Sequence, residues 1–427
     1  MPDGSTGWHG YPMRGKQHHA PKLLQWRLEC LGHSLIEGLA GLLPGAWLFR
    51  LGELLGVLGW HVMPLRRKVV LKNLRIAYAG EKPVEELERM GKATFRRTAG
   101  NLISAAHTAR LAPGKLGRVI SIENLDLLEE ALAGGKGVVL LLSHMGNWEV
   151  LSRLVHLFPR GSRTAAFYRP LNNQMLDARV LARRQADGTR MFSKRDNPLQ
   201  VAKFLREGGI VGILADQRVG QQGELVAFFG RLTRASPLPS LLARRSKSHV
   251  LALSVTTEKR GKWVARFMPV GEPPTTAHCM AALEQAMTAS PVDVFWFQER
   301  WKVYLRPPRT ISDWLGPDTH EASKPLRGLL WLAGVPDAWR VPPAWVHPAV
   351  VYEVALTNNQ GLPAWLPAST RVHRVSSGAA GCDALQVVLA GIDAGAALPL
   401  DFILTTGASV ALVKAGRREV VPVISLP

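Results

Sequence analysis

Val138-Val139-Leu140-Leu141-Leu142-Ser143-His144-Met145-Gly146-Asn147-Trp148-Glu149 is the stretch that decides the fold class. An unbroken aliphatic run follows Gly134-Gly135-Lys136-Gly137, and a short apolar run bounded by glycines predicts a strand buried on both faces over Val138–Ser143. The run ends at a histidine, and a helix is expected from near Asn147 to Leu157. Outward from there, strands are expected at Thr164–Tyr168, Ile210–Ala215, Val250–Thr256 and Trp263–Phe267. Helices are expected at Leu176–Ala186, Pro198–Arg206, Pro239–Ser246 and Thr276–Ala289, and upstream at Arg66–Tyr78 and Val84–Thr108. Strands alternating with helices specify an α/β domain whose mixed, largely parallel sheet is flanked by helices.

The opening stretch also carries the candidate chemistry. His144 lies just beyond the C-terminal end of a strand, where open α/β sheets place their ligands. A carboxylate five positions on, Glu149, can pair with the imidazole across the turn. Such a carboxylate would orient the ring and stabilise the imidazolium formed on proton abstraction. Gly146 gives the turn its freedom and Asn147 can cap the helix. A structural histidine at a strand end fits the same spacing, and the residues alone leave both readings open. Ser143 points to the opposite face from His144, and no G-x-S-x-G elbow exists. The glycines at 134–137 precede a strand, so they do not form a phosphate-cradling loop. No H-E-x-x-H cluster calls for a catalytic metal, and no cofactor is expected.

Composition narrows the partners. With 427 residues, 47% of them hydrophobic, the chain can build large cores and is not a disordered protein. Cys30, Cys279 and Cys382 are odd in number and far apart, which fits a reducing compartment better than a disulfide framework. The net charge is +20, yet Gly328–Pro427 holds six basic and six acidic residues, so the excess belongs to residues 1–327. A body this basic suits nucleic acid, anionic lipid or an acidic protein. No zinc finger, RNP-type block or K-homology loop is present, which removes nucleic acid from the expected partners.

Residues 1–22 read as a loose basic arm. Leu35–Met63 is apolar but interrupted by Glu37, Pro44, Arg50 and Glu53, whereas a spanning helix wants ~20 predominantly apolar residues. Two amphipathic membrane-associating helices within 23–63 are expected, with two ordinary core helices as the alternative. Prolines punctuate an expected linker at 307–327. Beyond it, residues 328–427 are expected to form a small, separable accessory α/β domain. Its strand-like runs are Ala349–Leu356, Val372–Ser376, Leu385–Val388 and Phe402–Thr405.

Further blocks add to the first. Tyr168-Arg169-Pro170 with Asn173 and Asp177, Ala215-Asp216-Gln217, Phe228-Phe229-Gly230, and Trp296 followed by Arg300-Trp301-Lys302 fall in a fixed order, with Asn73-Leu74 upstream. In that order, and with His144-Met145-Gly146-Asn147-Trp148-Glu149, they resemble the lipid A biosynthesis acyltransferases. These are lauroyl and myristoyl transferases of Gram-negative bacteria, within the wider H-x-x-x-x-D/E acyltransferase superfamily. Two departures stand out: Gln298 replaces a common histidine, and Ala235-Ser236-Pro237 replaces a small-Thr-Gly run. The stretch Asp401–Ser409 with Val421-Pro422-Val423 resembles the end of heptosyltransferase-like glycosyltransferases, without the aspartate of their turn.

The resemblance implies a glycerolipid-acyltransferase-like fold over residues 23–306 and a definite chemistry. A fatty acyl chain would pass from an acyl thioester, carried by acidic acyl carrier protein or CoA, to a hydroxyl of a lipid A precursor in lipopolysaccharide biosynthesis. His144 would be the general base and Glu149 its orienting partner. Gly146, Asn147, Arg169, Asn173, Asp216, Arg300 and Lys302 would contact substrate. The oxyanion would be met by N–H groups near Gly146 or by Arg169. The setting would be the cytoplasmic face of the bacterial inner membrane, with peripheral or monotopic attachment to its anionic surface. Another glycolipid, aminolipid or glycerophospholipid acceptor, or a non-catalytic lipid- or carrier-binding role, remains as an alternative.

Overall fold

The computed structural model describes residues 20–193, 196–219, 222–302, 308–315, 323–336, 338–376, 382–395 and 398–426. Most of the expected basic arm, residues 303–306 at the end of the expected acyltransferase domain, and residues 307 and 316–322 of the expected linker lie outside them.

Four helices come first: α1 (Ala20–Leu42), α2 (Gly45–Val62), α3 (Pro64–Tyr78) and α4 (Val84–Arg110). Pro44 and Pro64 separate the first three, since neither can continue a helix from the preceding residue. The long amphipathic α4 buries Leu87, Phe95 and Asn101 and is the platform for the others. Helix α2 lies against it at backbone distance. A Cβ at Gly52 would stand 2.4 Å from the Ala99 carbonyl oxygen, and one at Gly56 2.4 Å from that of Phe95. Glycines four apart thus let two helices approach more closely than side chains allow. The outer faces are apolar: Leu24, Leu28, Leu31 and Leu35 on α1 and Trp47, Leu54 and Leu58 on α2 are all more than half exposed.

The α/β body follows: β1 (Ile120–Glu123), α5 (Leu125–Ala133), β2 (Val138–Leu142), β3 (Thr164–Tyr168), α6 (Gln174–Gln185), β4 (Arg190–Ser193), α7 (Pro198–Arg206), β5 (Ile210–Leu214), β6 (Glu224–Phe228), β7 (Arg231–Ala235), α8 (Leu238–Ser246), β8 (His249–Lys259), β9 (Lys262–Pro269) and α9 (Thr276–Thr288). The helix expected after β2 is a 3-10 helix, Trp148–Leu157. Seven strands form one sheet in the order β1-β9-β8-β2-β5-β3-β4. Every neighbouring pair is parallel except β8–β9. The central strand β2 is buried along its whole length, as its aliphatic run requires. The separate β6–β7 hairpin turns at Phe229-Gly230, both with positive φ, the geometry of a tight two-residue turn.

The C-terminal part comprises α10 (Ile311–Leu315), β10 (Leu326–Trp331), β11 (Val350–Thr357), β12 (Val372–Val375), α11 (Cys382–Gly395), β13 (Phe402–Thr406), α12 (Val410–Arg418) and β14 (Val423–Leu426). Its five strands are all parallel, in the order β12-β11-β10-β13-β14. Two sequence expectations are corrected here. Leu385–Val388 lies in helix α11, where Leu385 and Val388 are buried while Val387 is exposed, the spacing of a helix face and not of a strand. Described residues of the expected linker also pack with this unit. Ile311 and Trp314 sit in its core with Leu326 and Phe402, joined by Leu232 from the α/β body.

The two parts share a polar seam. The buried Arg231 guanidinium pairs with Asp401 and donates to the Pro325 carbonyl at 2.8 Å. Lys68 pairs with Glu419 at 2.6 Å, and Lys324 donates to the Ala77 carbonyl at 2.7 Å.

Candidate active site

Strands β2 and β5 are parallel neighbours, with Leu142 level with Leu214. The residues two places beyond each, His144 and Asp216, therefore emerge side by side at the C-terminal edge of the sheet. Asp216 holds His144 at two points: its Oδ1 is 2.7 Å from Nδ1 of the ring, and its Oδ2 accepts the His144 backbone N–H at 3.0 Å. With Nδ1–H directed at a carboxylate, Nε2 carries the free lone pair, and the Gln217 amide nitrogen lies 3.2 Å from it. Trp148 meets the ring edge-on at 5.6 Å.

The loop bearing His144 is clamped from behind. Phe295 N–H donates to the His144 carbonyl at 2.8 Å, and Gly146 N–H to the Asp293 carbonyl at 3.0 Å. Gly146 has φ +55, and a Cβ there would stand 2.2 Å from the Val255 carbonyl oxygen, so only glycine fits. Asp293 is itself fixed: it accepts from Thr257 N–H at 2.8 Å, Ser290 Oγ at 2.7 Å and Asn101 Nδ2 at 3.2 Å. Asn101 in turn accepts from the Trp263 indole at 2.6 Å. Asn73 ties α3 to the same segment by donating to the Trp296 carbonyl at 2.7 Å.

The electrostatics favour a basic imidazole. Burial works against a charged His144, but the charge and hydrogen bond of Asp216, helped by the charge of Glu149, outweigh it, and the pKa is raised. Burial likewise opposes ionisation of Asp216, yet the charge of His144 and the hydrogen bonds from its ring and backbone hold that carboxyl below its usual range. The charge of Arg300 adds to this, and burial brings its own pKa down to about 10.

The pattern that defines the bacterial lipid A biosynthesis acyltransferases matches residues 16–303. The chain belongs to that family. Among similar proteins, the lipid A biosynthesis palmitoleoyltransferase of Escherichia coli K12 is 24% identical over 275 residues, covering 61% of this chain and 86% of the relative. The phosphatidylinositol mannoside acyltransferase of Mycobacterium tuberculosis H37Rv is 29% identical over 199 residues, covering 44% of this chain and 61% of the relative. The protein is thus an O-acyltransferase of lipid A or glycolipid biosynthesis.

In this acyltransferase several residues stand elsewhere than the sequence suggested. The imidazole's hydrogen-bonding partner is Asp216, not Glu149. The Glu149 carboxylate is forked by Arg184 of α6, at 2.6 Å to Nη2 and 3.2 Å to Nε, and reaches His144 only through its charge. Gly146 presents no free N–H, since Asp293 takes it. Asn147 is buried and donates to Thr108 Oγ1 at 3.1 Å, with no side-chain cap to the helix that follows. Asn173 caps α6 by accepting from Met175 and Leu176 N–H and donates to Glu29 of α1 at 2.8 Å, so it is a structural residue. Arg300 is buried over the Phe228 ring and donates to Thr233 at 2.8 Å. Arg169 and Lys302 do line an open groove that also includes Gln217 and Gln298. Sequence reasoning missed Asn101, Arg184 and Asp293. Their only signal was polarity inside apolar or helical runs, which does not reveal a partner 35 residues away, as for Arg184 and Glu149, or 192 away, as for Asn101 and Asp293.

Proposed function

We propose that this acyltransferase moves a fatty acyl chain from an acyl thioester, on acyl carrier protein or CoA, to a hydroxyl of a lipid A precursor. The observation that carries the reading is the His144–Asp216 pair at the sheet edge, with the amide of Gln217, a residue that lines the groove, 3.2 Å from Nε2. The acceptor hydroxyl replaces the Gln217 amide at Nε2 and gives its proton to that nitrogen. Its oxygen attacks the thioester carbonyl, forming a tetrahedral intermediate. Collapse breaks the C–S bond, and the departing sulfur takes the proton from the imidazolium, leaving an ester, a free thiol and neutral His144. Asp216 stabilises the imidazolium in between. No acyl-enzyme is needed.

The likeness to a phosphatidylinositol mannoside acyltransferase supports a second acceptor class, a mannosylated glycolipid. The outward leucine stripes of α1 and α2 support attachment to the cytoplasmic face of the inner membrane, since apolar faces of this size mark membrane or partner contacts. No described helix is long and apolar enough to cross a bilayer. The test is acyl transfer by wild type and His144→Ala from both donors, with mass spectrometry of lipids from a deletion strain to name the acceptor. A folded His144→Ala protein with near-wild-type turnover would overturn the mechanism.

A further inference from the structure

The groove lined by Gln217, whose amide lies 3.2 Å from His144 Nε2, has two walls, and only one belongs to the part of the chain that matches the family. It is an open groove of about 840 Å³. The catalytic wall carries Arg66, Arg169, Arg218 and Lys302 beside Gln217, and the other wall is the face of α12 and the approach to β14, with Arg417, Val413 and Val420. Five cations therefore meet a single carboxylate, that of Glu299. Glu299 pairs with Lys302 at 3.5 Å, and Arg66 and Arg218 donate to the Phe297 and Lys302 carbonyls. Arg169 and Arg417 are exposed, and neither side chain has an ion pair or hydrogen bond among the described residues. Like charges gathered in a concavity repel one another unless an anion neutralises them, and a guanidinium fork matches phosphate oxygens. The valines beside Arg417 suit a phosphate carried on an organic chain better than a bare ion.

We infer that the C-terminal α/β unit completes the substrate groove, and that Arg417, with Arg169 on the opposite wall, binds a phosphate ester of the substrate as it lies at His144. This rests on the acyl-transfer reading above for its purpose, but the binding can be read without turnover. The phosphate belongs either to the acceptor lipid's headgroup or to the donor's phosphopantetheine or CoA.

The full chain is compared as wild type, Arg417→Glu and Arg418→Glu. Arg418 is exposed on the same helix but outside the groove, so its reversal matches the change in net charge. Titration with inorganic pyrophosphate should show at least about tenfold weaker binding for Arg417→Glu and a change within twofold for Arg418→Glu, the size expected when a charged hydrogen bond is lost. In acyl transfer, Arg417→Glu should raise one KM by a similar factor while kcat stays within about twofold. A rise for a phosphorylated glycolipid acceptor assigns the phosphate to the acceptor, and a rise for acyl-CoA assigns it to the donor. Equal loss of pyrophosphate binding in both variants, or no loss in either, overturns the inference. Weaker pyrophosphate binding with both KM values unchanged overturns the link to substrate. A wild-type protein that transfers no acyl group sinks the acyl-transfer reading instead, while the pyrophosphate comparison still decides the site.

Discussion

Asp216 carries the clearest consequence at the scale of single residues, because it fixes which imidazole nitrogen is free. Asp216→Asn should cost about 10²–10⁴-fold in acyl transfer, as His144→Ala should, because an amide no longer enforces Nδ1–H or balances the imidazolium. The rate assay carries a pH signature. His144 must be neutral to act, and its pKa is raised, so kcat/KM should climb through an acid limb centred above the ordinary value of about 6.5. Asp216→Asn should move that limb to lower pH; an unmoved limb would show that another group titrates. Glu149 belongs with Arg184. Glu149→Gln and Arg184→Gln should each lower activity, and the double variant should be little worse than the poorer single, the mark of residues acting as one unit. Additive losses would break that pairing. Spacing along the chain made His144 legible but pointed to Glu149 as its partner, where the ring is hydrogen-bonded to Asp216. Glu149 is near in sequence, whereas Asp216 becomes a neighbour only through the parallel register of β2 and β5, which no local pattern encodes.

Among the elements, the apolar runs were readable and their contacts were not. The unbroken Val138–Leu142 run could only be a doubly covered strand, and Pro44 broke the N-terminal apolar stretch into two helices as expected from its missing N–H. The approach of α2 to α4 escaped detection, because a glycine marks permission for close contact without naming what comes close. Gly52→Ala should test that contact. The added methyl meets backbone, which cannot rotate away, so destabilisation of about 1–3 kcal/mol is expected in denaturant unfolding. The outer face of the same helix should respond differently. Leu54→Glu with Leu58→Glu replaces exposed side chains, so the unfolding midpoint should hold while co-sedimentation with anionic vesicles falls sharply. Retained vesicle binding would move the membrane contact away from α2.

For the whole molecule, charge balance and prolines predict a separable unit over residues 328–427, whereas Ile311, Trp314 and Leu326 from before that boundary lie in the same core as Phe402. Its independence does not follow, because the seam is built by residues that look ordinary in sequence. Arg231 stands in the hairpin of the α/β body, but its guanidinium is buried against Asp401 and the Pro325 carbonyl, both from beyond Ser323. A chain ending at Ser323 would keep the cation and lose both partners, and it would also uncover Leu232, Ile311 and Trp314. That chain is expected to aggregate or unfold instead of remaining an active module. Asp401→Ala in the full chain isolates the electrostatic part. Removing one member of a buried pair typically costs about 3–5 kcal/mol, because the remaining charge has no solvent and no counter-ion. Arg231→Met combined with Asp401→Leu should recover most of that loss, since neither buried charge is then left. Chemical denaturation of the three proteins decides the point: wild type and the double variant should unfold at similar denaturant concentrations, with Asp401→Ala well below both. If Asp401→Ala unfolds with wild type and the chain ending at Ser323 stays soluble and active, the seam is a docking contact between independent parts.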